Sequence, residues 1–234
     1  MQPRHVIIRG GALAIKHVNK LLQLSYDKKM EDYDKFKLDK SLSGRRVKVY
    51  TDDDGRAYVV HRGTQGFRDV ITDLKLPFSK NNNRFKHAEK IQKMAQQKYG
   101  TDKTSTLGHS LGADIAHHVG KDSKELLTLN RAVFDKVTKS KPSNHTDIRT
   151  KLDPVSMLTH FEKKNGKEIT IPSTTWNPLA EHTVGVLDRL DPEMIVGEGI
   201  KTSSNWIDHV KTTQRKYNCS YKDALKRASK TYKK

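Results

Sequence analysis

The sequence is poor in cysteine, in acidic residues and in long apolar runs, and each shortage excludes a class of protein. Its 234 residues include one cysteine, Cys219, which excludes a framework of intrachain disulfides and fits a reducing compartment. No run of 18 apolar residues occurs, so the sequence predicts no membrane-spanning helix. The apolar stretch near the N-terminus is interrupted by Arg9 and Lys16, and we therefore expect an intracellular protein without a signal peptide.

Acidic residues are outnumbered by basic ones, most of all near the C-terminus. The chain has 45 Lys and Arg against 27 Asp and Glu, a net charge of +18. Residues 201–234 alone carry a net charge of +8. This excess favours an acidic partner such as nucleic acid or an anionic membrane, although a basic surface can also serve solubility alone. We expect one large domain over 1–200 and a basic helical tail over 201–234.

Helix and strand patterns alternate through the middle of the chain. Helical periodicity occurs at 11–25, 66–75, 84–99 and 111–119, and strand patterns occur at 46–51, 57–61, 104–107, 125–129, 148–152 and 168–171. The helix over 84–99 is expected to bury Phe85, Ala88, Ile91, Met94 and Ala95. The turn at 52–55 predicts a hairpin between the first two strands. Alternating strands and helices predict an α/β fold with a mostly parallel central sheet flanked by helices.

The segment Gly108-His-Ser-Leu-Gly112 matches G-x-S-x-G, the pattern of a nucleophile elbow. In that elbow the serine, Ser110, lies on a tight turn between a strand and a helix. Gly108 and Gly112 are required because a Cβ at either position would collide with the neighbouring strand or helix. The β-rich residues before the segment and the helical pattern after it supply the context that the motif needs.

Together with this elbow, several segments in the same order resemble the class 3 (fungal-type) lipase family of α/β hydrolases. These segments are His61-Arg-Gly-Thr64, Asp69-Val-Ile-Thr-Asp-Leu74, His87 in the helix before the elbow, Asp153-Pro-Val-Ser156 and His182. The resemblance covers residues 11–190 and implies an α/β-hydrolase fold. It also implies a serine hydrolase that acts on carboxylic esters of lipids.

The sequence departs from the family pattern at several positions. His61 stands where the family prefers Phe, Val70 where it prefers Trp, and Ala113 where a further glycine is common. The loop at 76–83 is short and polar, so no amphipathic lid helix is predicted. A phospholipid or monoester substrate is therefore favoured over triglyceride droplets.

The order Ser…Asp…His is that of α/β hydrolases, and it assigns a role to each residue. Ser110 would be the nucleophile, His182 the general base and then acid, and Asp153 the group that orients the imidazole. The backbone N–H groups of Leu111 and Thr64 would form the oxyanion hole, the second donor being implied by the resemblance. This chemistry needs no cofactor and no metal.

Alternatives to each of these assignments stay open at the level of sequence. Asp135 and Asp147 compete with Asp153 as the acid, but Asp135 is expected after the preceding strand and Asp147 at the start of its own strand. Ser110 could also be a turn serine in an inert domain.

Other histidines also compete with His182 for the role of base. His160 and His209 both follow Asp153, and His182 is preferred on spacing and on the resemblance. His109 is predicted to pack beside the elbow. His117 and His118 have no supporting set of metal ligands.

The basic tail is predicted to form two helices, at 203–216 and 221–233, the second starting at a capping box, Ser220 to Asp223. An apolar stripe on the second helix is surrounded by cations that include Lys222, Lys226, Arg227 and Lys230. This helix could dock on the hydrolase domain or contact anionic lipid or nucleic acid. The segment also resembles lysine-rich tails in proteins of large double-stranded DNA viruses, which implies packaging in a virion.

Two functions from different classes follow from these features. We expect a lipase or phospholipase that works through an acyl-enzyme intermediate at a lipid or anionic membrane surface. The alternative is a catalytically weak, lipase-like virion protein whose basic tail binds DNA or a capsid partner. A peptidase or thioesterase on the same fold is a third possibility, because fold does not fix function.

Overall fold

The computed structural model describes four stretches of the chain, residues 12–64, 83–132, 143–156 and 166–197, and the single residues Thr213, Tyr217, Asp223 and Arg227. The chain divides into two compact units: Arg9–Glu198, and a second unit made of Met1–Ile8 with Gly199–Lys234. Within the described stretches, no helix is long and apolar enough to cross a membrane.

The first unit is built from short strands and helices that mostly alternate. In chain order they are β1 (Leu13–Ala14), α1 (Ile15–Tyr26), β2 (Lys37–Leu38), β3 (Val47–Thr51), β4 (Ala57–His61), α2 (Asn83–Tyr99), a 3-10 turn (Thr101–Lys103), β5 (Thr104–His109), α3 (Leu111–Val119), β6 (Leu126–Leu129), β7 (His145–Thr150), β8 (Lys167–Ile171), α4 (Pro178–Glu181), a 3-10 helix (Val184–Arg189) and β9 (Ile195–Val196).

Seven strands form one sheet in the order β2-β3-β4-β5-β6-β7-β8. β2, β3 and β4 pair antiparallel, which confirms the predicted hairpin between β3 and β4. From β4 to β8 every neighbouring pair is parallel. Because the carboxyl ends of parallel strands meet at one edge, the loops after β4, β5, β7 and β8 share that edge.

Helices cover both faces of this sheet, and the residues of β4 show why. Alternate side chains of a strand point to opposite faces. Tyr58 and Val60 pack in the apolar cluster that contains α1, whereas Val59 packs with Ile91 and Ala95 of α2. α3 lies beside α2, where Leu111 and Ile115 contact Phe85 and Ala88. The sheet is mostly parallel and lies between two helical layers, and a turn at Ser110 joins β5 to α3. This architecture is the predicted α/β-hydrolase fold.

A buried lysine holds the C-terminal end of α1, the helix end that carries Tyr26. The Lys48 ammonium, 1% exposed, donates to the carbonyls of Leu24 at 2.6 Å, Asp27 at 3.0 Å and Lys29 at 2.5 Å. Carbonyls at a helix C-terminus lack donors within the helix and carry partial negative charge. One cation therefore contacts the last turn of α1 at Leu24 and the chain just after it at Asp27 and Lys29, which fixes the end of α1 against β3.

A second sheet, of two strands, joins the beginning and the end of the first unit. β1 and β9 pair antiparallel, with Leu13 opposite Val196 and Ala14 opposite Ile195. The N–H of Ile15 extends the pairing by donating to the carbonyl of Met194 at 2.8 Å. The first and last strands of this unit are therefore neighbours.

Two details of the predicted elements were wrong. Met94 is 38% exposed on α2, whereas Gln92 is buried and donates to Ser123 Oγ at 3.0 Å. β7 begins at His145 and ends at Thr150, so Asp147 is the third residue of its strand and does not start it. The predicted helix at 66–75, most of the loop at 76–83, Asp135 and His160 lie outside the described residues.

The second unit is described at four residues only, Thr213, Tyr217, Asp223 and Arg227, all of them helical. The Arg227 guanidinium lies 4.9 Å from the centroid of the Tyr217 ring, at the distance of a cation–π contact. Tyr217 is helical one residue beyond the predicted end of the first tail helix. Lys222, Lys226 and Lys230 are outside the described residues, so the tail boundary and its partners stay predictions.

Candidate active site

Ser110 occupies the turn between β5 and α3 in a conformation that non-glycine residues rarely adopt. Its φ is 58° and its ψ is −126°. The N–H of Ser110 donates to the carbonyl of Leu129 on β6 at 3.1 Å, and its own carbonyl accepts from the N–H of Ala113 at 3.0 Å. The sheet and the helix together hold this strained turn, and such strain is characteristic of functional sites.

Gly108 and Gly112 permit the close approach of α3 to the sheet. A Cβ on Gly108 would lie 2.6 Å from the carbonyl carbon of Gly112. A Cβ on Gly112 would lie 2.6 Å from the carbonyl carbon of Arg62. Both distances are shorter than carbon atoms tolerate, so only glycine fits at either position while the turn keeps its shape.

The structure brings Ser110, His182 and Asp153 together in one hydrogen-bonded chain. His182 Nδ1 lies 2.9 Å from Asp153 Oδ1, and His182 Nε2 lies 2.9 Å from Ser110 Oγ. A carboxylate only accepts, so Nδ1 carries the proton and Nε2 is free to accept from the serine hydroxyl. All three side chains are buried. This arrangement can remove a proton from a serine hydroxyl.

The carboxylate of Asp153 is oriented by the backbone that follows it. Asp153 lies in the turn after β7, and its Oδ1 accepts from the N–H of Val155 at 3.2 Å. Its Oδ2 accepts from the N–H of Ser156 at 3.1 Å. These contacts direct Oδ1 toward His182. The rival Asp147 lies instead within β7, where it accepts from the Thr128 hydroxyl at 2.7 Å.

Asn130, which the sequence analysis missed, links three parts of the site. It follows β6 with a φ of 45° and is fully buried. Its Nδ2 donates to the carbonyl of Glu181 at 2.8 Å, and its Oδ1 accepts from the N–H of Thr150 at 2.8 Å. It therefore ties the end of β7, which leads to Asp153, to the residue before His182. The sequence signal that could have identified Asn130 is its side-chain amide directly after a buried strand.

His109 has a larger role than the predicted one of packing beside the elbow. Its Nε2 lies 2.7 Å from the backbone carbonyl of His182, and its Nδ1 lies 2.7 Å from the hydroxyl of Tyr26. A carbonyl only accepts, so Nε2–H donates to it and Nδ1 accepts from the phenol. Burial lowers the pKa of His109 to about 3 and keeps the ring neutral. His109 thus holds the backbone of the candidate base.

Tyr26 carries this network to the loop after β4. The oxygen that donates to His109 also accepts from the N–H of Gly63 at 3.1 Å. Burial raises the pKa of Tyr26 to about 12, so the phenol stays protonated at neutral pH. A Cβ on Gly63 would lie 3.0 Å from Ser110 Cβ, which shows how closely this loop meets the elbow.

The two predicted oxyanion donors belong to the elbow helix and to the loop that meets the elbow at Gly63. Leu111 is the first residue of α3, and first-turn N–H groups have no acceptor within their helix. Thr64 directly follows Gly63. Arg84 donates to the carbonyls of Arg62 and Gly63, the latter at 3.2 Å. Since C=O and N–H point in opposite directions in a trans peptide, this contact turns the N–H of Thr64 away from Arg84. Their role in stabilising an oxyanion stays a prediction.

The other histidines singled out from the sequence lie elsewhere or are not described. His87 is exposed on α2, and His61 is buried in β4, where burial lowers its pKa to about 3. His117 is buried with its ring 5.1 Å from that of His145. His160 and His209 are outside the described residues. Among the residues that are described, no group of three His, Cys, Asp or Glu could hold a metal ion.

Comparison with known proteins finds likeness in structure alone. No family model matches the sequence, and no curated protein matches it. The Lip2 lipase of Yarrowia lipolytica is 16% identical with a TM-score of 0.49, covering 72% of this chain and 81% of its own. A triacylglycerol lipase from Penicillium expansum is 16% identical with a TM-score of 0.46, covering 78% of this chain and 81% of its own.

A third solved structure with likeness is the Rhizomucor miehei lipase in its propeptide complex. It is 16% identical with a TM-score of 0.42, covering 64% of this chain and 66% of its own. At such identities and TM-scores, the likeness to these fungal lipases decides neither the substrate nor the activity of this chain.

Proposed function

We propose that this chain is a serine carboxylic-ester hydrolase of lipase or phospholipase type. The observation that carries the proposal is the continuous contact from Ser110 Oγ through His182 to Asp153, at 2.9 Å and 2.9 Å, on a strained elbow. Further hydrogen bonds fix the surrounding backbone. Asn130 and His109 donate to the carbonyls of Glu181 and His182, and the Tyr26 hydroxyl accepts from the N–H of Gly63. Such preorganisation distinguishes a reactive site from a chance cluster of polar residues.

In the proposed reaction, His182 Nε2 takes the hydroxyl proton while Ser110 Oγ forms a bond to the carbonyl carbon of the ester. Negative charge develops on the carbonyl oxygen, where the N–H groups of Leu111 and Thr64 stabilise it. The imidazolium then donates its proton to the leaving alkoxide as the carbon–oxygen bond breaks. A water molecule, deprotonated by the same His182, releases the acid from the acyl-enzyme. Asp153 stabilises the imidazolium in both halves.

A phospholipid or monoester is the substrate class that we propose. The sequence at 76–83 is too short and polar for an amphipathic lid helix, which suits single lipid molecules better than droplets. The net charge of +18 favours approach to an anionic lipid surface. A rate panel of phospholipid, monoacylglycerol and triacylglycerol tests this part; fastest hydrolysis of triacylglycerol would contradict it.

The direct test is labelling by a fluorophosphonate probe together with hydrolysis of a soluble short-chain ester. We expect Ser110→Ala to abolish labelling and to reduce the ester rate by about a thousandfold or more. Ser41→Ala is the matched control, because Ser41 is exposed and its hydroxyl contacts only Asp39 and Lys98, neither of which belongs to the candidate site. Equal rates for wild type and Ser110→Ala would refute the proposal.

The same probe decides which histidine is the base. His182→Ala is expected to lose labelling, because Nε2 faces the serine oxygen. Labelling that survives His182→Ala but disappears in His160→Ala would move the role of base to His160.

A further inference from the structure

An exposed apolar surface lies beside the candidate active site, on the loops after β7 and β8. Leu152 follows β7 and is 41% exposed, and Leu179 in α4 is 46% exposed. Trp176, between β8 and α4, is 91% exposed. Single exposed apolar residues are ordinary, but a tryptophan almost wholly in solvent with two leucines nearby indicates a contact surface.

These three side chains belong to neighbouring loops that are tied together. The N–H of Leu152 donates to Ser173 Oγ at 2.9 Å, which joins the loop after β7 to the loop after β8. Trp176 follows Ser173 by three residues. Asn177 then caps α4 by accepting from the N–H of Leu179 at 3.0 Å. The apolar groups therefore lie on one edge of the sheet.

A buried carboxylate holds the loop that presents Trp176. Glu181 is fully buried, and its Oε1 accepts from the N–H groups of Thr174 at 3.1 Å and Thr175 at 3.0 Å. Its Oε2 accepts from Arg189 at 2.7 Å. The exposure of Trp176 is thus imposed by a fixed loop, and Glu181 directly precedes His182.

The charges around this surface favour an anionic lipid interface over a protein partner. Segments 148–156 and 169–181 contain two carboxylates, Asp153 and Glu181, and both are buried. Lys151 is exposed next to Leu152. The open surface of these two segments is therefore apolar with a cation and without an exposed carboxylate. Tryptophan itself suits the headgroup region, where its ring is in contact with apolar chains and its N–H with polar groups.

We propose that Trp176, Leu179 and Leu152 form the surface by which this protein inserts into an anionic lipid interface. The inference rests on the proposed function only in one respect, that the surface delivers lipid esters to Ser110. Leu179 is three residues before His182, so insertion here places the candidate site at the interface.

Insertion is tested without any ester chemistry. In a Ser110→Ala, Trp206→Phe protein, Trp176 is the only tryptophan left of the two in the sequence. Mixed with vesicles of phosphatidylcholine and phosphatidylglycerol, this protein should shift its fluorescence to shorter wavelength. Lipids brominated on their acyl chains should quench that fluorescence. Binding of the vesicles with neither the shift nor the quenching would overturn the proposal, since the basic tail would then account for the contact.

A second measurement connects the surface to turnover. For Trp176→Ser and Leu179→Ser, the rate on a vesicle-borne ester relative to the rate on a soluble ester should fall about tenfold. Met94→Ser is the control, because Met94 is also an exposed apolar residue, 38% open, but lies on α2. A ratio for Trp176→Ser equal to that of wild type would overturn the proposal and assign the surface to a protein partner.

The two proposals fail in different ways. If wild type hydrolyses neither ester while Trp176 still inserts, the proposed function is wrong and the lipid-binding surface stands. If the soluble ester is hydrolysed but Trp176 does not insert, the proposed function stands and the proposed lipid-binding surface is wrong. Thermal melts of each variant separate these outcomes from loss of folding.

Discussion

Tyr26 joins two halves of the candidate site through a single hydroxyl. It accepts from the N–H of Gly63 at 3.1 Å and donates to His109 Nδ1 at 2.7 Å. His109 in turn donates to the carbonyl of His182 at 2.7 Å. One phenol thereby connects the loop that precedes Thr64 with the residue proposed as the base. Tyr26 contacts no reacting atom, so we consider it a positioning residue.

Replacing Tyr26 with Phe should lower kcat on a soluble ester by about tenfold and leave KM nearly unchanged. The substitution keeps the ring but leaves the Gly63 N–H and His109 Nδ1 without their partner, which costs about 1–3 kcal/mol of stability. Steady-state kinetics and urea unfolding measure the two effects. Tyr33→Phe is the control, since that hydroxyl makes only a 3.5 Å contact with His17 Nδ1. A normal kcat in Tyr26→Phe would show that the hydroxyl positions nothing.

Sequence alone could propose Ser110, Asp153 and His182, because an elbow imposes a local pattern and the fold imposes their order. It could not propose Tyr26 or Arg84. Each of these acts through a contact between distant segments; Tyr26 and His109, for example, are 83 positions apart. A hydroxyl on one helix and an imidazole in a later strand leave no joint signature in the chain.

The position of α3 against β4 depends on the absence of a side chain at Gly112. A Cβ there would lie 2.7 Å from the carbonyl carbon of His61, and backbone atoms cannot move aside as a flexible side chain can. The N–H of Leu111 is at the start of the same helix. A shift of α3 would therefore displace a proposed oxyanion donor as well as the packing.

We expect Gly112→Ala to lose about 1–3 kcal/mol of stability and most of the ester activity. Gly44→Ala is the matched control, because a Cβ on Gly44 meets no atom within 4 Å. Its stability should stay within about 0.5 kcal/mol of wild type. Urea unfolding and the soluble-ester rate provide both readouts. If Gly112→Ala were as stable and active as Gly44→Ala, close packing at the elbow would not be required.

Helices and central strands were predictable because each repeats a pattern over several residues. β1, β2 and β9 were not, since each has two residues and two residues carry no period. The prediction of the buried face of α2 was wrong at Met94, which is exposed, whereas Gln92 is buried. Hydropathy favoured Met94, but the neighbouring layer offers hydrogen-bond partners that make Gln92 the better residue there.

Three buried histidines make the stability of the whole molecule depend on pH. Burial lowers the pKa of His61 to about 3, of His109 to about 3 and of His117 to about 2. In the unfolded chain each would titrate near 6.5. Below that pH the unfolded chain binds protons that the folded chain does not, so the folded state loses stability as pH falls.

The free energy of unfolding should therefore be steady above about pH 7 and decline below about 6.5. The limiting slope is about 1.4 kcal/mol per pH unit for each histidine. Urea unfolding between about pH 7 and pH 5 measures it, and His61→Phe should reduce the slope by the share of one histidine. An equally steep decline in His61→Phe would contradict the assignment of His61 to this set.

The pairing of β1 with β9 has a consequence for how such a unit can be rearranged. Because Leu13 is opposite Val196, the chain enters and leaves the first unit at adjacent points. The two ends of the unit are therefore close together in space. Its ends can be joined by a short linker and the chain reopened at the exposed turn between β3 and β4, with the order of the strands in space unchanged. Because its ends are close, the whole unit could also be inserted into a surface loop of another protein.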